Sequence, residues 1–299
     1  MRYLTFCCLA MVSRALTAQP SHSPPAKLID VHLHIWEPMP ASAGSRDSLV
    51  AAFKRFNLVR AVASGPIPLV RQLRDLAPDR IIGGAIFTES IKLPPIPDLE
   101  RILRSREIEV LGEIDAQYAG VRLDAQWLDP YWTLAEKLGV PVAIHTGFGQ
   151  PSSTEDPCCP LFRASLGNPL HIEEALARHP KLRVYLMHAG WPYLAETKAI
   201  MQLYPRVYAD LAAFAFNPGI PRPEFYHYLE DLVRAGFGKR LMFGSGLSPK
   251  DWAGGIGVAI ELINQAPFLT PEQKNDIFHD NAARFLQQTS VSTLRPNTR

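Results

Sequence analysis

Four histidines in this sequence stand at spacings that could bind a metal ion. His32 and His34 lie two residues apart in an apolar run, so in a β-strand their side chains point to the same face. His145 and His188 each end another apolar run, in Ala-Ile-His-Thr-Gly and Leu-Met-His-Ala-Gly. Taken alone, each is most often a hydrogen-bonded core residue, and the pair on one strand makes only half of a metal site. Together they could bind a divalent metal, although imidazole does not by itself decide among zinc, manganese, iron, nickel and copper.

Eight short apolar runs alternate with amphipathic stretches, and these elements must bring the histidines together. Eight buried strands alternating with helices predict an α/β fold, a (β/α)8 TIM barrel with an additional C-terminal helix. That helix is expected over residues 270–286, because Thr-Pro-Glu-Gln is typical of a helix start, and it should pack outside the barrel. Active sites of such barrels lie where the strands end, so we expect the four histidines to meet there. The predicted strands are 28–34, 59–64, 81–87, 110–115, 140–147, 182–190, 207–211 and 241–246.

This arrangement resembles the amidohydrolase superfamily, and more closely the amidohydrolase-related family that includes aminocarboxymuconate-semialdehyde decarboxylase-like enzymes. The resemblance runs from about residue 28 to residue 286 and rests on several stretches together. It implies a divalent metal held by His32, His34 and His145. Zinc is the metal expected first, and the number of ions is one or two. His188 would be a further ligand or stand near the substrate carbonyl. The stretches are Ile-Asp-Val-His-Leu-His (29–34), Pro-Val-Ala-Ile-His-Thr-Gly (141–147), Leu-Met-His-Ala-Gly-Trp-Pro (186–192), Arg-Leu-Met-Phe-Gly-Ser (240–245) and Asp-Asn-Ala-Ala-Arg-Phe-Leu (280–286).

The sequence departs from this family at the end of the eighth predicted strand. Members usually carry Gly-Ser-Asp there, and that aspartate touches the metal and takes a proton from the attacking water. Here the residues are Gly244, Ser245 and Gly246, so the expected aspartate is missing at Gly246. A bound metal still lowers the pKa of its water. The loss of a positioned base, however, removes about 10²–10⁴-fold of rate enhancement.

Other carboxylates could supply the missing base. Glu113, on the fourth predicted strand, lies where two-metal relatives such as the TatD-like nucleases have a metal ligand, so it could bind a second metal, act as base or orient a ligand histidine. Asp210, near the end of the seventh, could act as base or accept structural hydrogen bonds inside the barrel. Asp251 would reach the site only if its loop folded back. Asp30 is expected to orient a ligand rather than bind the metal.

The long loop over residues 148–168 is expected to shape a substrate pocket, since it follows a strand. Arg163 in this loop, Arg122 after the fourth strand and Trp191 are the candidate substrate-binding residues; solvated surface is the alternative for the two arginines. Cys158 and Cys159 are adjacent, so they are either loop thiols or a rare vicinal disulfide, and a metal or redox role is the less favoured alternative.

Three functions remain open on these grounds. The first is a metal-dependent hydrolase of a small amide, ester or lactone, impaired by the glycine at 246, in which His188 polarises the carbonyl and Glu113 or Asp210 replaces the base. The second is a non-catalytic barrel that only binds a metal or ligand. The third is a metal-dependent decarboxylase. The fold alone cannot rank them.

Composition and the chain ends indicate the partners, the localisation and the domain limits of the protein. A net charge of +2 over 299 residues argues against nucleic acid as a partner, and after removal of a leader no apolar run is long enough to span a membrane. Residues 1–18 resemble a signal peptide, which predicts a periplasmic or secreted protein, with a cytoplasmic one as the alternative. A linker (19–26), the hydrolase barrel (27–289) and a disordered tail (290–299) would follow. The expected partner is a small-molecule substrate. The family resemblance also implies that two copies of the chain form a homodimer.

Overall fold

The computed structural model describes residues 24–39, 43–149, 152–155, 157–212 and 220–287. The predicted signal peptide and C-terminal tail, and most of the predicted linker, lie outside the described residues. Eight parallel strands follow one another in a single sheet in chain order, each paired with the next. The strands are β1 Leu28–His34, β2 Leu58–Gly65, β3 Ile81–Phe87, β4 Val110–Ile114, β5 Val142–His145, β6 Val184–Met187, β7 Val207–Asp210 and β8 Leu241–Met242.

Backbone hydrogen bonds between β1 and the segment that follows β8 close this sheet into a barrel. Val31 N donates to the Phe243 carbonyl at 3.0 Å, Gly246 N to the His32 carbonyl at 2.8 Å, and His34 N to the Leu247 carbonyl at 2.8 Å. The strands are short, apolar and buried along almost their whole length, as parallel strands covered on both faces must be. The predicted (β/α)8 TIM barrel is therefore confirmed.

Helices follow the strands and cover the outside of the barrel. The largest apolar cluster joins them to the outward-facing strand residues, and Trp132 is fully buried in it. No helix within the described residues is both long and apolar enough to cross a membrane. The helices are α1 Ala43–Arg55, α2 Ile67–Leu76, α3 Ile96–Arg104, α4 Asp129–Leu138, α5 Glu173–Arg178, α6 Leu194–Leu203, α7 Arg222–Leu232, α8 Trp252–Asn264, α9 Pro271–Asn275 and α10 Asn281–Gln287.

The C-terminal helical segment begins as its sequence predicts and packs on the outside of the barrel. The Thr270 hydroxyl accepts from Gln273 N, and the Gln273 side chain accepts from Thr270 N, which forms a capping box. Outside the barrel, as predicted, α10 covers the end at which the strands begin. Phe285 packs against Tyr185 and Tyr208 in a second apolar cluster made of strand residues and α10. This closed end leaves the opposite end of the barrel as its open face.

Candidate active site

The barrel brings all four predicted histidines together at the end where the strands terminate. The ring centres of His32 and His34 lie 4.9 Å apart, those of His32 and His188 also 4.9 Å, and those of His145 and His188 4.7 Å. His32, His145 and His188 are buried, and His34 lies at the mouth with 16% of its side chain exposed. The period-two spacing in β1 and the position of His145 at the end of β5 suffice to explain this convergence.

His188 reaches the cluster through an unusual backbone. The sixth strand, predicted over 182–190, ends at Met187, three residues earlier than predicted, and His188 and Ala189 have positive φ angles of 60° and 46°. Two buried hydroxyls, Thr197 Oγ1 and Tyr228 Oη, donate to the Ala189 carbonyl, and the His188 amide donates to Asp210. These bonds hold a left-handed turn that few residues adopt unaided, and in this turn the His188 ring lies against those of His32 and His145.

Glu113 lies between three of the four imidazoles. Its Oε2 is 2.6 Å from His34 Nε2 and 3.6 Å from His32 Nε2, and its Oε1 is 2.8 Å from His145 Nδ1. The side chain is 2% exposed. Burial disfavours its charge, yet the surrounding histidines hold the pKa of Glu113 well below its usual range. Glu113 is therefore an ionised carboxylate at the centre of the cluster.

Asp210 lies behind the histidines rather than in front of them. Its Oδ2 is 3.1 Å from His32 Nδ1, and its Oδ1 accepts from the amides of His188 and Ala212. The side chain is fully buried. Although burial opposes the charge of His32, Asp210 and Glu113 raise the pKa of this histidine to about 10. These contacts favour the structural alternative for Asp210: it orients His32 so that Nε2 faces Glu113, the usual task of a carboxylate behind a metal-binding histidine.

The hydrogen bond of His188 fixes which of its nitrogens is available. Nδ1 lies 3.2 Å from the Ala212 carbonyl, which can only accept, so Nδ1 carries the proton of the neutral ring. Burial, together with the neighbouring His145 and His32, lowers the pKa of His188 to about 3. The neutral ring presents Nε2 as a lone pair. It therefore suits a metal ligand better than the predicted donor to a substrate carbonyl.

A second carboxylate, on the residue that follows β4 and not singled out from the sequence, completes the cluster. Asp115 follows Glu113 by two residues, and its Oδ1 lies 3.4 Å from His145 Nδ1. Burial and the charge of Glu113 raise the pKa of Asp115 well above its usual range. The sequence signal was the same two-residue spacing that pairs His32 with His34, here in Glu-Ile-Asp.

Comparison with known proteins identifies the family. The model of the Amidohydrolase family matches residues 29–288, which include every residue of the cluster. The chain belongs to the Amidohydrolase family. A shorter match is to the fluG protein of Emericella nidulans, 31% identical over 71 residues. This match spans 24% of the present chain and 7% of fluG, so it says little about the activity of either whole protein.

Solved structures similar to this amidohydrolase include both hydrolases and decarboxylases. An uncharacterised TIM-barrel protein, Bb4693 of Bordetella bronchiseptica, has 20% identity and a TM-score of 0.64, covering 88% of this chain and 99% of its own. A 2,6-dihydroxybenzoate decarboxylase from Rhizobium has 14% identity and a TM-score of 0.59 (87% and 98% covered). A probable 2-pyrone-4,6-dicarboxylic acid hydrolase from Acinetobacter baumannii has 14% identity and a TM-score of 0.60 (87% and 99% covered). At these identities the likeness establishes the fold, not the reaction.

The residues of this amidohydrolase fit a divalent metal, as is usual in the superfamily. His32 Nε2 and Asp115 Oδ1 are buried and have no hydrogen-bond partner among the described residues, which is costly unless a ligand satisfies them. Two sets offer ligand atoms within 4.8 Å of one another: His32, Glu113 and His188, and Glu113, Asp115 and His145. Glu113 belongs to both sets, so it could bridge two ions. Imidazoles mixed with carboxylates suit several divalent metals, and the donor set does not select zinc.

The eighth strand of this amidohydrolase brings no acid to the cluster. Gly246 has a φ of +68°, a conformation that suits glycine, and its amide donates to the His32 carbonyl. Asp251 does not fold back, since its carboxylate accepts from the Ser248 hydroxyl on the surface. Asp30 accepts from the amides of His32 and Ser245 and so ties β1 to the segment after β8, as expected of an orienting residue.

A cavity of about 490 Å³ opens onto the cluster, and the predicted substrate-binding residues do not line it. Arg122 pairs with Asp124 at 2.6 Å, and Arg163 donates to two carbonyls of its own loop. Trp191 packs against Phe148 and donates to Glu224. The long loop contributes instead Cys158 and Cys159, which form a vicinal disulfide. The lining comprises His34, Trp36, Thr88, Glu89, Ser90, Ile91, Glu113, Asp115, Tyr118, His145, Cys158, Cys159, His188 and Gly246.

Proposed function

We propose that this amidohydrolase is a metal-dependent hydrolase of a small amide, ester or lactone, and that Asp115 just after β4 replaces the base missing at Gly246. The observation that carries the proposal is the Asp115 carboxylate. It lines the cavity, its buried Oδ1 accepts no hydrogen bond from the described residues, and this oxygen lies 3.4 Å from His145 Nδ1. A carboxylate in this position can take a proton from a water molecule inside the cluster.

The side chains divide into those that would hold metal and those that orient them. His32, Glu113 and His188 would hold one ion, and Glu113, Asp115 and His145 a second. A divalent metal bound there lowers the pKa of a coordinated water and polarises a carbonyl. Asp210 fixes the ring of His32 from behind, and the Ala212 carbonyl fixes that of His188.

Proton transfer falls to Asp115 and its neighbour. Asp115 takes the proton from the attacking water and returns it to the leaving group, since the same carboxyl can act as base and then as acid. His145 Nε2 lies 3.0 Å from the Phe148 carbonyl, which keeps Nδ1 directed at Glu113 and Asp115. Neutral His188 has no remaining N–H for an oxyanion, so the substrate oxygen must be stabilised elsewhere in the cluster.

Hydrolysis accounts for this cavity better than decarboxylation does. Hydrolysis requires a group that removes a proton from water, and Asp115 is available for it. A decarboxylase must hold a substrate carboxylate, and since the described cavity lining contains no lysine or arginine, a bound metal would have to hold it.

The test begins with protein purified without chelators and analysed for metal by elemental analysis. We expect metal in the protein, close to two equivalents if Glu113 bridges two ions, and chelator-sensitive hydrolysis of at least one member of an ester, lactone and amide panel. Asp115→Asn should lower kcat/KM by about 10²–10⁴-fold. Metal analysis of the variant separates loss of the base from loss of an ion. Asp124→Asn is the matched control, because Asp124 is a nearby acid paired with Arg122 on the surface.

Three outcomes would contradict the proposal. Turnover that persists after metal removal would exclude metal dependence. An Asp115→Asn enzyme as active as the Asp124→Asn control would exclude Asp115 as the base. Carbon dioxide release from a carboxylated substrate, without incorporation of water and with no hydrolysis of the panel, would favour the decarboxylase.

A further inference from the structure

Glu89, on the loop after β3, lines the cavity but has no role in the proposed reaction. The segment Thr88–Ile91 lines one wall of the cavity. Thr88 Oγ1 accepts from the amides of Ser90 and Ile91, and Thr88 N donates to the Ile91 carbonyl, so this turn is fixed. Glu89 Oε2 is buried and has no hydrogen-bond partner among the described residues. It also belongs to neither metal-ligand set.

Among the described residues, no lysine or arginine donates a hydrogen bond to Glu89 Oε2. Lys92 is close in sequence, but its ammonium lies over the Phe87 ring and donates to the main-chain carbonyl of Glu89. Lys250, in the adjoining pocket, pairs with Glu37 at 3.2 Å. The described cavity lining holds three acids and no lysine or arginine. The internal stretches outside the described residues (40–42, 150–151, 156 and 213–219) contain neither residue type in their sequence.

The remaining walls suit a flat or apolar body that carries a positive charge. Trp36 stacks on His34 at 5.4 Å between ring centres and is 48% exposed. Tyr118 packs edge-on against His145, and the disulfide of Cys158 and Cys159 adds an uncharged surface. Aromatic faces attract cations, and a carboxylate forms its strongest hydrogen bonds with charged donors.

We propose that Glu89 determines substrate specificity by binding a protonated amino group at the end of the substrate remote from the reacting carbonyl. The substrate is then an amine-bearing ester, amide or lactone, and analogues with a carboxylate at that end are rejected. The reaction in this statement rests on the proposed function, whereas amine binding by Glu89 is tested separately from it.

Binding is measured first, by calorimetry, on the full chain as purified. The probes are 4-(aminomethyl)benzamide, 4-ethylbenzamide and 4-(carboxymethyl)benzamide, which share a flat body and differ in the charge of one end. We expect the amine to bind about 10- to 100-fold more tightly than the ethyl compound, as a charged hydrogen bond allows. The carboxylate should bind more weakly than either.

Glu89→Gln should remove this preference and leave binding of the ethyl compound within about threefold, while Glu37→Gln should retain the preference. Glu37 is the control because it is a glutamate of the adjoining pocket already paired with Lys250. Since Glu89 Oε2 is buried without a partner, Glu89→Gln should also keep or raise the Tm, which shows that the variant folds.

Kinetics then test whether kcat/KM follows the same order, with the amine highest and the carboxylate lowest. The substrates are the 4-nitrophenyl esters of 4-(aminomethyl)-, 4-ethyl- and 4-(carboxymethyl)benzoic acid. Amine preference that depends on Glu89 in binding, with no ester hydrolysed, supports the specificity site and counts against the proposed function. Hydrolysis without amine preference supports the function and overturns the specificity site. Equal binding of the three benzamides, no binding of any at millimolar concentration, or a preference that survives Glu89→Gln would also overturn it.

Discussion

The ends of β4 and β8 face the same cavity and are built in opposite ways. The β4 end carries Glu113 and Asp115, both buried. Glu113 contacts three histidines, and Asp115 Oδ1 accepts no hydrogen bond from the described residues. The regular part of β8 is two residues long, and the segment after it reaches the cavity as Gly246 with a left-handed backbone and no side chain. Acidic groups are concentrated at one strand end and absent from the other.

In the function we propose, an acid at one strand end takes the place of the acid that is missing at another. The C-terminal ends of all eight strands surround one opening, so a carboxylate at the β4 end can reach a water near the histidines as well as one at the β8 end. What must be preserved is the distance to the histidines, not the strand of origin. The glycine at 246 therefore does not by itself make the chain a non-catalytic binding protein.

The largest effect should come from Glu113→Gln, which removes the central charge of the β4 end. Without it, His34, His145 and His32 lose their shared partner and both ligand sets lose a member. We expect metal affinity to fall by more than the roughly 10- to 100-fold typical of residues behind the ligands, and turnover to fall with it. Metal titration and kcat/KM measure both.

Glu109→Gln is the control for that change. Glu109 is a glutamate just before the same strand, paired with Arg106 at 2.6 Å and remote from the cluster. If Glu113→Gln retained metal and turnover at the level of Glu109→Gln, the β4 end would not be the acidic half of the site, and the comparison with β8 would lose its meaning.

Asp210→Asn should have an intermediate effect, because it acts through His32. An amide can still lie beside His32 Nδ1 but is a weaker acceptor than a carboxylate, so the ring is held less firmly. We expect metal affinity to fall by about 10- to 100-fold. At saturating metal, kcat should largely recover. A loss of kcat that saturating metal does not restore would instead assign Asp210 the catalytic role.

The fold and the histidine cluster follow from local patterns, which explains why they can be predicted. Apolar runs of strand length between amphipathic helices give the barrel, and the spacing of His32 and His34 places both rings inside it. The prediction differed from the structure where tertiary contacts decide. The predicted β8 (241–246) is regular only at Leu241–Met242, although the segment beyond it still bonds to β1. The C-terminal helix lies outside the barrel as predicted, and it covers the barrel end because Phe285 fits between Tyr185 and Tyr208.

Side-chain partners were the least predictable part of the site. Arg122 and Arg163 have the right charge for a substrate carboxylate, but a local acid and local carbonyls take up their donors. Asp115 could have been found from its spacing to Glu113, because both follow the period of the strand. The unpartnered oxygen of Glu89 could not, since it depends on which groups fail to reach it in three dimensions.

The smallest effect should come from restoring an acid to the β8 end by Gly246→Asp, compared with Gly246→Asn. Both side chains must adopt the left-handed backbone of Gly246, so each variant should lose about 1 kcal/mol of unfolding free energy, seen as a Tm lower by about 2–4 °C. If Asp115 supplies the base, as we propose, the kcat/KM values of the two variants should agree within about tenfold, short of the 10²–10⁴-fold that a newly supplied base gives. The contrary outcome is activity in the aspartate variant alone, with the asparagine variant and the natural chain inactive. It would show that the β4 end cannot replace the β8 end, and that the natural chain is a binding protein.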